Sequence, residues 1–116
     1  MTLINPSRMR NSFGISDVDL DRIKCFLQGS VYCWVKNRKD EGFAARDLVG
    51  GENYDWNKTP LIPLYQKHIA AGKDPNDAVD EAGKDLGWIL KLVLHEDKRS
   101  FESYDAGKAK GYRLKP

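Results

Sequence analysis

The sequence predicts a mainly α-helical domain closed by a C-terminal β-hairpin. Three observations carry that prediction. Apolar residues recur at helical spacing over three stretches, each stretch has its own start or stop residues, and after residue 98 the pattern turns to alternation around a glycine. The 116 residues fit one domain, read as a flexible arm over 1–15 and a folded unit over 16–116. With 41 % hydrophobic residues, including three Trp, five Tyr and four Phe, the chain can build a core without disulfide or metal staples.

The first helix is read over "SDVDLDRIKCFLQGSVYCWVKN". Ser16 is its cap, and Asp17, Asp19 and Asp21 suit the positive end of the helix dipole. Leu20, Ile23, Leu27, Val31 and Trp34 form its buried stripe. Cys25 and Cys33 lie eight positions apart on this helix, about 12 Å along its axis, too far to pair with each other. Two reduced thiols suit a cytoplasmic protein. In "GFAARDLVGG", Phe43 suits a very short strand and "ARDLVG" one or two helical turns. "GENYDWN" reads as a loop whose Tyr54 and Trp56 pack onto the first helix.

"TPLIPLYQKHIAAG" is the second long helix, with Thr59 as cap, Pro60 in its first position, Pro63 still in its first turn and Gly72 at its end. "KDPND" is a turn, and "NDAVDEAGKDLGWILKLVLHED" is the third long helical stretch. Gly83 and Gly87 interrupt it, at a cost of about 1 kcal/mol each relative to alanine. On a helical wheel Ala78, Ala82, Leu86, Ile89, Leu90 and Val93 share one side, while Lys84, Trp88, Lys91 and His95 share the opposite one. The phase runs unbroken across both glycines, which favours one continuous helix with a groove where a neighbouring helix approaches. The alternative is a turn at Gly83. "RSFESY" and "GYRL" then flank "DAGKAK" as a hairpin.

This order resembles a winged helix-turn-helix domain over residues 17–116. Its most specific part is "AVDEAGKDLGWILKLVL", which is similar to a helix-turn-helix: Ala78 and Val79 stand at the small and apolar positions, Gly83 at the turn, and Ile89 and Leu92 at the inward positions of the second helix. If the stretch is one helix, residues 60–71 serve as the positioning helix instead. The resemblance implies DNA binding, with the hairpin as a wing on the phosphate backbone.

The net charge of +2 says little, but from residue 98 onward six bases face two acids. Candidate DNA contacts are therefore Lys84, Trp88, Lys91 and His95 on the helix, and Lys98, Arg99, Lys108, Lys110 and Arg113 on the hairpin and its approach. The opposing reading covers Trp88 with the arm or hairpin and leaves the basic hairpin as a solvated surface. Catalysis finds little support. His68 and His95 lack metal-ligand spacing, the cysteines lack a C-x-x-C pattern, "AGK" lacks the rest of a phosphate-binding loop, and there is no G-x-S-x-G elbow. Asp47, Glu52 and Asp55 are close in sequence, but loop acids are ordinarily solvated and no metal is expected. No cofactor is expected either. No stretch is long and apolar enough for a membrane span, and the first residues show no secretion signal. The expected function is non-enzymatic double-stranded DNA binding in a regulatory or accessory role. A protein-interaction adaptor on the same scaffold is the alternative.

Overall fold

A computed structural model describes residues 13–38, 41–49, 55–107 and 109–115. The elements run α1 (Asp17–Arg38), β1 (Phe43–Ala44), α2 (Ala45–Leu48), α3 (Ile62–Ala70), α4 (Pro75–Glu96), β2 (Phe101–Ala106) and β3 (Ala109–Leu114). Among the described residues the fold is mainly helical, with one antiparallel sheet in the order β1-β3-β2. The hairpin is present as the alternation predicts. It is registered by Phe101 opposite Leu114 and Ser103 opposite Tyr112, and turned at Gly107, whose φ is +77°.

Ser16 caps α1 as expected, its hydroxyl accepting from the Asp19 N–H at 3.1 Å. Leu20, Ile23, Leu27 and Val31 are buried, and Trp34 is half-buried against the same core. The Trp34 indole N–H reaches the Glu41 carbonyl at 3.1 Å, which closes the chain back from α1 toward β1. Phe43 explains why two residues suffice for a strand. Its ring meets Trp34 and Phe101 edge-on at 6.0 and 6.2 Å, and Tyr112 at 6.2 Å, so one buried side chain joins α1 to the sheet. Ile15 is buried and Phe13 packs on the core, so the end of the expected arm belongs to the folded unit; residues 1–12 lie outside the described ones.

α3 begins later than the sequence suggests. The Thr59 hydroxyl donates to the Trp56 carbonyl at 2.8 Å and accepts from the Leu61 N–H at 3.1 Å, so it caps the turn that leads into the helix. Trp56 is buried beside Ile62, Tyr65 and Ala82 of α3 and α4, in the core cluster that also holds Leu20, Ile23 and Leu27 of α1. Tyr54 lies outside the described residues. Residues 71–74 join α3 to α4, with Gly72 at φ +92° and Asp74 capping α4 through the Asp77 N–H at 2.9 Å.

α4 is continuous across Gly83 and Gly87. Its buried side is the predicted one, Ala78, Ala82, Leu86, Ile89, Leu90 and Val93, with Leu94 added. The turn at Gly83 is therefore absent, and the helix-turn-helix expected within residues 78–94 is not there. Val79 is 39 % exposed because it sits on an unbroken helix off the core stripe.

Two other glycines are held by a close approach. The Tyr104 ring lies over Gly42 and over its cross-strand partner Gly111. A methyl at Gly111 would stand 2.5 Å from Tyr104 Cζ, and one at Gly42 2.0 Å from its hydroxyl oxygen. The Arg113 guanidinium packs on Tyr104 at 5.0 Å. Gly111→Ala is expected to cost about 1–3 kcal/mol through overpacking. The cost should vanish in a Tyr104→Ala background, as a double-mutant cycle read by urea denaturation would show; equal costs in both backgrounds would contradict the contact.

Candidate functional site

The outward side of α4 and the hairpin enclose an open cleft of about 690 Å³. Leu86 and Leu90, both buried, underlie it. Gly83 and Gly87 of α4, Ala45 of α2 and Tyr112 of β3 complete an apolar floor. Lys84, Trp88 and Lys91 rise along one wall, with Lys110 and Ser103 opposite and Arg46 and Asp80 also on the lining. The helical repeat explains the first wall. Positions 84, 88 and 91 follow one another at i, i+4 and i+7, on the side opposite the core stripe.

Trp88 is 62 % exposed, so it is not a covered residue. Lys91 Nζ stands 4.9 Å from the centre of its ring, a cation–π contact at the mouth of the cleft. Lys84 reaches Glu81 at 3.4 Å and Lys110 reaches Asp105 at 3.8 Å. Both pairs are solvent-exposed and long, so they hold their lysines weakly and leave the charges available to a partner. Burial raises the Tyr112 hydroxyl above its ordinary pKa, which keeps it neutral in the cleft wall.

Lys84, Trp88, Lys91 and Lys110 are thus brought together, and the other expected contacts are not. His95 is exposed one turn beyond Lys91 and does not line the cleft, nor does the exposed Lys98. Arg113 is on the other face of the sheet, over Tyr104 and 3.7 Å from Glu102, because strand residues alternate and Lys110 and Tyr112 take the cleft side. Lys108 lies outside the described residues.

Arg99 makes structural contacts within the chain. Its guanidinium grips Asp97 through Nε at 3.0 Å and Nη2 at 2.9 Å while stacking on Tyr32 of α1 at 4.2 Å. Asp97 also accepts from the Arg99 N–H and from Gln28 Nε2, each at 2.8 Å. These hydrogen bonds, led by the Arg99 side chain, hold the Asp97 carboxyl well below the usual carboxylate range despite its partial burial, and in return raise Arg99. The clasp fastens the end of α4 and the start of the hairpin to α1.

A second polar junction fixes α4 against α3. Asp85 Oδ2 takes Lys67 Nζ and His68 Nε2, each at 2.8 Å. Lys73 Nζ approaches His68 Nδ1 at 3.0 Å, and Lys67 also donates to the Phe13 carbonyl.

The sequence reading missed Arg46, whose Nη2 donates to the Ala106 carbonyl at 3.2 Å and ties α2 to the hairpin. Nothing in its local sequence marks that contact. The expectation that a neighbouring helix fills the groove at the glycines fails at Gly87. A methyl at Gly87 would meet nothing within 4 Å, so the groove there opens to the cleft instead of receiving a helix. Asp47 and Asp55 do not converge on a cation position. Asp47 accepts from the Ala44 N–H at 2.8 Å and Asp55 from the Asn57 N–H at 2.9 Å, while Glu52 lies outside the described residues. Among the described residues no helix is long and apolar enough to cross a membrane. No family model matches the chain, and no curated protein or solved structure matches it.

Proposed function

We propose that this chain is a non-enzymatic DNA-binding domain of winged-helix type, with α4 facing the nucleic acid and the β2–β3 hairpin beside it as the wing. The observation that carries the reading is the exposed Trp88–Lys91 stack set between Lys84 and Lys110 around one open cleft. Aromatic and cationic groups in that arrangement suit bases and phosphates together. The order of elements supports the fold assignment. α3, a four-residue connection holding a glycine, and α4 also fit a helix-turn-helix pair, with α3 as the positioning helix. The non-enzymatic reading is supported by a lining of cations, one carboxylate at Asp80, the Ser103 hydroxyl and a neutral tyrosine, with no histidine or cysteine among them.

A protein-interaction adaptor is the second reading. It is favoured by the apolar floor and by Asp80, which phosphates would avoid. Salt separates the two. DNA affinity should fall with slope about 0.9 in log–log form for each phosphate contact, and Lys110→Ala should flatten that slope by about 1 while weakening all sequences alike. Fluorescence titration of duplex DNA at increasing salt measures both. Binding no tighter than about 10⁻⁴ M at low salt to duplex and to single-stranded DNA alike would remove the DNA reading and leave the adaptor.

A further inference from the structure

We propose that the cleft seats an unpaired DNA base, stacked against Trp88 over the α4 backbone at Gly83 and Gly87, with the flanking phosphates on Lys84, Lys91 and Lys110. The inference rests on the DNA-binding reading and narrows its ligand.

Gly87 is the starting point. It lies inside a continuous helix with no left-handed backbone angle, and a methyl there would touch nothing within 4 Å. Neither conformation nor packing in the folded chain calls for glycine at this position, yet glycine weakens the helix. A ligand that comes down onto the helix backbone does call for it. The neighbouring Trp88 points the same way, because a large indole is left 62 % exposed at the edge of the same cavity.

The shape and chemistry of the cleft select the occupant. Intact duplex shows a protein its base edges and phosphates, while the flat faces of its bases are stacked on one another. An apolar floor beside an exposed indole is complementary to a base face, which only an unstacked nucleotide presents. The cationic rim matches the phosphates on either side of such a nucleotide. Asp80 repels phosphate but can accept a hydrogen bond from the amino group of a base, so its place on the lining suits the base and not the backbone. The cavity of about 690 Å³ leaves room for the nucleotide.

The test compares a short single-stranded oligonucleotide, a perfect duplex and the same duplex with one bulged base, by anisotropy of labelled DNA at low salt. Wild type should bind the single strand and the bulge about tenfold tighter than the perfect duplex, the size of one base–aromatic stack. Gly87→Ala and Gly87→Leu should raise the urea midpoint, since both improve the helix in open space. They should also erase the preference for the unpaired base, Gly87→Leu most fully. Trp88→Leu should lose the same preference. Duplex binding as tight as single-strand binding in wild type, or an undiminished preference in Gly87→Leu, overturns the inference and leaves the DNA reading standing. Failure to bind any of the three DNAs overturns both.

Discussion

Ile89→Ala loses about 2–5 kcal/mol of folding stability, the range for removing a large aliphatic side chain from a packed interior. Ile89 is fully buried, and it belongs to the cluster that also holds Leu27, Leu64 and Val93. α4 packs against both α1 and α3, so a void at this point loosens two helix contacts at once. The loss has two parts: the transfer of the deleted carbons, and the contacts forfeited by neighbours that cannot collapse into the space. Ile69→Ala provides the control, since that side chain is 39 % exposed and its removal should stay within about 0.5 kcal/mol. Urea denaturation of both variants measures the difference. A loss below about 0.5 kcal/mol for Ile89→Ala would mean that the core lies elsewhere.

Asp97→Ala should cost about 2–4 kcal/mol, a large effect for a single polar residue. The side chain is only 3 % exposed and accepts four hydrogen bonds, from Gln28 and from three nitrogens of Arg99. Truncation leaves Arg99 and Gln28 part-buried with their donors unmatched, which is costlier than the absence of the bonds themselves. The clasp also predicts the direction of acid sensitivity. The folded carboxyl titrates well below its unfolded value of about 4, so the unfolded chain binds the proton first. The contribution of Asp97 is therefore complete above about pH 5 and fades as the pH falls through 4 and below. Asp97→Asn should be less stable than wild type at neutral pH and should close part of that gap in acid. A gap that stays constant from pH 7 to pH 3 would contradict the clasp.

The contrast between these residues shows what a sequence of this kind discloses. The buried faces of α1 and α4 were legible because burial repeats with the helix, and Leu20, Ile23, Leu27 and Val31 announce it four times over. The hairpin was legible because Phe101, Ser103, Tyr112 and Leu114 alternate around a turn glycine. The clasp was not, since Asp97 and Gln28 are 69 positions apart and a single polar contact leaves no period. The Arg99 side of the clasp was equally hidden: the sequence offers Arg99 as a candidate DNA contact, and nothing local shows that its Nε and Nη2 hold Asp97. Strand parity sets Arg113 on the face away from the cleft, and parity could only be assigned once the register was known. The candidate site was half legible. The wheel collected Lys84, Trp88 and Lys91, but the wall opposite them is supplied by residues at least twelve positions away, whose approach only the fold reveals.

The Asp85 junction has a consequence for recognition. One carboxylate that holds two neighbouring side chains of α3 makes α3 and α4 a single stiff lever. The helix that carries Trp88 is thereby held in place against α3. Association consequently forfeits little internal freedom at its contact surface, and more of the gross attraction survives as net affinity. On the DNA reading proposed above, such rigidity would offset the weak long-range attraction that a net charge of +2 offers a polyanion.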